Sequence, residues 1–181
     1  MSLTQMAYLP FQHDDLLTLS EALDIAEDAT GNFYKFSSGQ WKRHRYDVKT
    51  LASLEANEIT QQAFALLNKG ARVTSSFESK TKSRDFYFIC LQDHRIQNAL
   101  NRDKALWLLP LLVYVFTHEL VHIVRFCNFF QRFDVSGKEK DKEESVVHET
   151  TFEILENLAL PKLDYVLDSY KDHRICEMVV S

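Results

Sequence analysis

Glycine and proline are scarce here, four and three in 181 residues. A chain so poor in turn-formers and breakers is not a many-turned repeat array or a disordered tail, and it favours long helices. Cysteine is also scarce: Cys90, Cys127 and Cys176 are odd in number and lack C-x-x-C spacing. That argues against a disulfide scaffold and for a reducing compartment. No block of like charge is present, and the net charge of −5 is mild. There is accordingly no general electrostatic case for nucleic acid or for an anionic membrane as partner. The opening residues Met1 to Pro10 lack a basic region followed by an apolar run, so the expected location is the cytoplasm. The apolar stretch from Ala105 to Phe116 is too short to cross a bilayer and is expected to be core.

What is present is 45% hydrophobic and 12% aromatic residues, enough for one domain over 1–181 with one core that buries about 70% of the unfolded surface. The central feature is Phe116-Thr117-His118-Glu119-Leu120-Val121-His122, an H-E-x-x-H that directly follows the apolar run. At about 100° per residue, His118 and His122 lie about 40° apart on one helical face, with Glu119 about 100° from His118. Two imidazoles one turn apart can grip a divalent metal such as zinc, while a carboxylate beside them deprotonates a metal-bound water. The preceding run is apolar on every side, so the helix is expected to be enclosed by protein. Ionisable groups at such a place need partners, since burying them uncompensated costs several kcal/mol.

Along the rest of the chain, His13, Asp14 and Asp15 open an amphipathic helix expected to end near Thr30 and Gly31 and to pack on the central one. From Asn32 to Tyr46 aromatics alternate with bases, a mixture better explained by rings anchoring an irregular segment on the core than by nucleic-acid stacking. Leu51, Leu54, Ile59, Ala63, Leu66 and Leu67 suggest a second amphipathic helix over Val48 to Asn68. Ala71 to Phe77 and Arg84 to Leu91 are β-favouring and flank the polar stretch Lys80 to Ser83, so a hairpin is expected there. Asp93 to Asp103 is polar, a short helix or loop, and Pro110 marks a first turn or a kink. Asp134 to Glu143 is a charged surface connection. Asp164 to Ser181 is a last, shorter helix-like segment in which Tyr165, Tyr170, His173 and Arg174 are available to polarise a carbonyl.

A further helix is expected over about Lys142 to Leu160, ended by Pro161. On its wheel Val147, Thr151, Ile154, Leu155 and Leu158 form the inner side, whereas Glu149, Glu153 and Glu156 form a solvated one. Glu144 and His148 remain directed inward without an apolar reason to be there.

From Leu106 to Leu160 the sequence resembles the zincin metallopeptidases, whose active-site helix carries this H-E-x-x-H. The resemblance implies an α+β, mostly helical fold with a central buried H-E-x-x-H helix, a second metal-site helix and a small β-hairpin or edge strand. It implies a zinc-dependent peptidase acting on a peptide or protein, with Glu119 as general base. It also suggests that Phe86 to Leu91 is the edge strand beside the cleft, pairing with extended substrate. The metzincin branch does not fit, because Arg125 stands at its Gly position and Asn128 at its last His position. What fits is a gluzincin-like layout with the third ligand on a separate helix. Glu144, twenty-two residues beyond His122, is near the expected spacing, although Glu143 and His148 replace the usual Asn and Asp around it. His148 competes, since imidazole is the commoner zinc ligand. The expectation is His148 as ligand, with Glu144 touching the metal or a ligating histidine. Two other readings are a di-iron helical bundle, since Glu119-x-x-His122 is also an E-x-x-H, and a non-catalytic module with a structural metal. The first needs a second E-x-x-H that the chain lacks, and the second has no use for Glu119.

Overall fold

The computed structural model describes residues 8–36, 41, 46–71, 85–128, 137–172 and 176–179. In chain order these form α1 (His13–Tyr34), β1 (Tyr46–Lys49), two 3-10 turns (Leu51–Ser53 and Ala56–Glu58), β2 (Ala65–Ala71) and β3 (Asp85–Leu91). Next come α2 (Asp93–Arg102), α3 (Leu108–Cys127), α4 (Lys138–Leu155), α5 (Leu163–Tyr170) and β4 (Cys176–Val179). The architecture is α+β and mostly helical.

Helix α3 is the axis of the molecule. Every residue from Pro110 to Val124 is buried, because α1, α4 and α5 pack around it and β2 and β4 approach from the sheet. Its length and composition alone would allow a membrane crossing; here it is enclosed by protein. Pro110 sits in the first turn, where its missing N–H has no intrahelical acceptor to lose. Helix α1 makes the broadest helix contact with α3, as its apolar stripe suggests. It begins with reciprocal capping between Gln12 and Asp15 and runs past Gly31 to Tyr34. Gly31 does not stop it: a Cβ there would stand 2.8 Å from the Trp41 indole nitrogen, so the glycine makes room for a ring.

The four strands are ordered β1-β3-β2-β4. β3 runs antiparallel to β2, with Leu67 opposite Ile89, and parallel to β1, with Tyr46 opposite Tyr87. β4 is parallel to β2. Three expectations are corrected here. Val48 to Asn68 is not a helix but a strand, two 3-10 turns and a second strand. The run Ala63 to Leu67 is apolar at consecutive positions and buried throughout, the signature of a strand covered on both faces rather than of a helix with one wet side. The partner of β3 is therefore Ala65–Ala71; residues 72–77 lie outside the described ones. Second, Phe86 to Leu91 is not an edge strand, since β1 and β2 flank it. Third, the C-terminal segment holds β4 beyond the short α5.

Between sheet and turns lies a buried carboxylate that the sequence did not single out. Glu58 accepts from Lys49 Nζ at 3.1 Å, the Glu55 N–H at 3.0 Å, the Cys90 thiol at 3.2 Å and the Asn68 amide at 3.4 Å. Burial alone would raise its pKa, but these donors outweigh it and hold it at about 2 against an ordinary 4.5. A carboxyl depressed in this way stabilises the fold fully above its unfolded pKa and loses that contribution as pH falls through 4.5 toward 2. Glu58→Gln is therefore expected to lower unfolding stability at pH 7 by about 1–3 kcal/mol. Urea denaturation from pH 7 downward should show the gap to wild type narrowing below pH 4.5; a gap independent of pH would remove the carboxylate from this role.

Candidate metal centre

The site joins two helices. On α3 the apolar stripe is interrupted by Thr117, His118, Glu119 and His122, all at most 2% exposed. Thr117 returns its hydroxyl to the Val113 carbonyl at 2.7 Å, which removes it from the question. On α4, Gly137 opens the helix at φ 64°, ψ −133°, a backbone conformation that side chains bearing a Cβ rarely adopt. Val147, Thr151, Ile154 and Leu155 then bury the inner face, and Glu149 and Glu153 are exposed. Helix α4 starts earlier than its wheel suggested, at Lys138, and ends at Leu155, before Pro161.

One side chain from α4 meets the α3 pair. Glu144, 5% exposed, places Oε2 3.4 Å from His118 Nε2 and Oε1 3.2 Å from His122 Nε2. One ligating atom from each of the three lies within 4.8 Å of the others. Burial pushes the Glu144 carboxyl up, but the two imidazoles facing it prevail and hold it well below the usual carboxylate range.

The donor set fits a cation. Ligands held tetrahedrally at zinc's N and O bond lengths stand roughly 3.3 Å apart, close to both separations here. Both imidazoles are in close electrostatic contact with Glu144, yet both ring nitrogens of each histidine and Oε1 of Glu144 lack a well-aligned hydrogen-bond partner among the described residues. Each such buried atom costs about 1–3 kcal/mol. A divalent cation between the two Nε2 atoms and the carboxylate compensates three of them at once. Zn2+ matches two nitrogens and a carboxylate oxygen.

His148 lies elsewhere. It is half-buried one turn beyond Glu144, its Nε2 is 2.5 Å from the Lys171 carbonyl, and its ring packs on Phe152 at 4.7 Å. The structure thus brings Glu144 to the histidine pair and leaves His148 outside that cluster. Glu119 is fully buried. On β3, burial pushes the Cys90 thiol upward, helped by Glu58 and by the charge of Glu119. Tyr165 donates to Asp103 at 2.7 Å and Tyr170 packs between Phe64 and Tyr114, so both are engaged away from the site. His173 and Arg174 lie outside the described residues.

The positioning device that sequence reasoning missed is Arg125 with Glu143. The guanidinium gives two hydrogen bonds to the carboxylate, at 2.6 and 2.9 Å, one turn from His122 on α3 and one residue from Glu144 on α4. This forked pair pins the two helices where the ligands meet. The available signal was an Arg at His122+3 opposite a helix carrying adjacent glutamates. A cavity of about 210 Å³ reaches the centre from the α4 side, touching His118 and Glu144 but neither His122 nor Glu119.

Comparison with known protein families, curated proteins and solved structures returned no match for this chain. The site therefore stands on its geometry.

Zinc titration against a competing chelator should separate the two α4 candidates. Glu144→Ala is expected to lose most zinc binding. His148→Ala should stay within about tenfold of wild type, less than the loss of a group that orients a ligand typically brings. Strong binding in Glu144→Ala, or its loss in His148→Ala, would reverse the assignment.

Proposed function

We propose that this chain is a zinc-dependent hydrolase of the zincin kind, acting on peptide bonds, with His118, His122 and Glu144 holding the metal. The observation that carries the reading is the convergence of two imidazole nitrogens and one carboxylate, all buried, on the helix pair that also holds Glu119. Zinc bound there would polarise a substrate carbonyl and lower the pKa of water. The chain's own contribution is positional. α3 presents the imidazoles from a helix that cannot shift without disrupting the core, Glu144 supplies the negative charge, and the Arg125–Glu143 pair keeps α4 in register. Glu119, the residue after the first histidine, takes the proton from the attacking water and returns it to the departing nitrogen, one carboxylate serving as base and then as acid.

The di-iron bundle reading receives less support. A four-stranded sheet accompanies the helices, and among the described residues His118, His122 and Glu144 are the one such ligand group. A structural metal module would leave Glu119 without a use.

Metal analysis and a peptide-cleavage assay test the proposal together. Purified protein should carry one zinc per chain. Glu119→Gln should keep the zinc while hydrolysis falls by at least about a hundredfold, the low end of what general acid–base catalysis supplies. His118→Ala should lose both. A preparation never exposed to chelator that contains no transition metal would overturn the reading. Zinc loss in Glu119→Gln as complete as in His118→Ala would make Glu119 a ligand instead.

A further inference from the structure

The cavity over the metal centre has chemistry beyond the three ligands. Glu144, Ser145, His148 and Glu149 line it from α4, at positions i, i+1, i+4 and i+5 of one helical stripe. Lys171 and Asp172, just past α5, form the opposite wall. Two wall carboxylates, Glu149 and Asp172, are exposed at the rim. The one wall cation, Lys171, already has its ammonium 3.4 Å from Asp168. Its carbonyl faces His148 Nε2 at 2.5 Å. Because a carbonyl can only accept, that nitrogen carries the hydrogen, and in the neutral ring Nδ1 is left as an acceptor. At the base, His118 and Glu144 are at least 95% buried and are taken up as ligands of the proposed metal. Beyond the metal ligands, the described wall thus carries its charge at the rim, where it is negative. About 210 Å³ is below the roughly 300 Å³ at which drug-sized ligand sites begin, which suits one substrate residue rather than several.

We infer that the residue lodged in this cavity carries an ammonium group, either a lysine-like side chain or a free amino terminus, beside the bond presented to the metal. The inference rests on the hydrolase reading and names the substrate class for that site. Glu149 and Asp172 supply the recognition. Both are exposed, so each contributes modestly and in a salt-dependent way. Together they discriminate more by rejecting acidic residues than by binding basic ones tightly.

The test uses four hydroxamates, which grip zinc through the same chelating group and need no turnover: N-acetyl-lysine, leucine with a free amine, N-acetyl-leucine and N-acetyl-glutamate hydroxamate. Calorimetric titration of the zinc-loaded protein should rank at least one ammonium-bearing probe about fivefold tighter than neutral N-acetyl-leucine, with N-acetyl-glutamate weakest. Whichever of the first two binds better identifies the side chain or the amino terminus as the source of the charge. The double variant Glu149→Gln, Asp172→Asn should retain its zinc and bind all four about equally, and 0.5 M salt should shrink the wild-type differences in the same way. Equal affinity for the four probes in wild type, or an unchanged ranking in the double variant, overturns the substrate class and leaves the metal site standing. Failure of every probe to bind zinc-loaded protein, or failure to load zinc, overturns the hydrolase reading, and the inference falls with it.

Discussion

Everything in this molecule depends on one constraint: ionisable side chains on a fully buried helix must be compensated where they lie. His118, Glu119 and His122 sit on a helix that α1, α4, α5 and the sheet enclose. Apart from the narrow cavity that touches His118, protein replaces water around them, so the chain has to bring another charged group to the histidine pair or accept a large loss of stability. It brings Glu144. The pairing is close, and its 3.2 and 3.4 Å separations match the spacing of ligands around a metal ion. The three side chains thus form a buried group between α3 and α4 that could hold a metal ion.

That requirement explains features remote from the ligands. Two helices that jointly present such a group must not slide, and the Arg125–Glu143 fork one turn from the site resists sliding through two short hydrogen bonds. A largely buried pair of this sort, with Arg125 still partly exposed, adds little to net stability compared with apolar packing, but losing Arg125 would leave the buried Glu143 carboxylate uncompensated. It therefore specifies register more than it stabilises the fold. Glu58 does related work on the far side of the sheet. By gathering Lys49, Asn68 and the Cys90 thiol it holds the turns of 51–58 against β2 and β3, the strands underlying α3.

Much of the helical half was legible because its signal is local. The hydrophobic stripe and acidic start of α1, the apolar enclosure of α3 and the solvated Glu149 and Glu153 of α4 all follow from spacing along one segment. The H-E-x-x-H could be read as a metal grip for the same reason: a helix by itself places His118 beside His122. The sheet was less legible. Leu51, Leu54, Ile59 and Ala63 satisfy a helical period by chance, and whether Phe86 to Leu91 lies at an edge depends on which strands arrive on either side. β1 comes from before β2, and pairs in parallel with a strand some forty residues later. No local pattern encodes that neighbour.

The amino-acid sequence by itself determined that two histidines and a glutamate share a buried helix, since residue spacing and helix geometry suffice for that. Only the tertiary structure decided which of Glu144 and His148 lies against the histidine pair. Both project from the same side of α4, so the wheel cannot separate them; the crossing of α4 over α3 can. The Arg125–Glu143 fork puts the first inner residue of α4 over the histidines, and the next turn, carrying His148, has already moved past them toward the Lys171 carbonyl. A side chain's bearing around its helix is a local property, but the point at which two helices cross is set by all the surfaces packed against them.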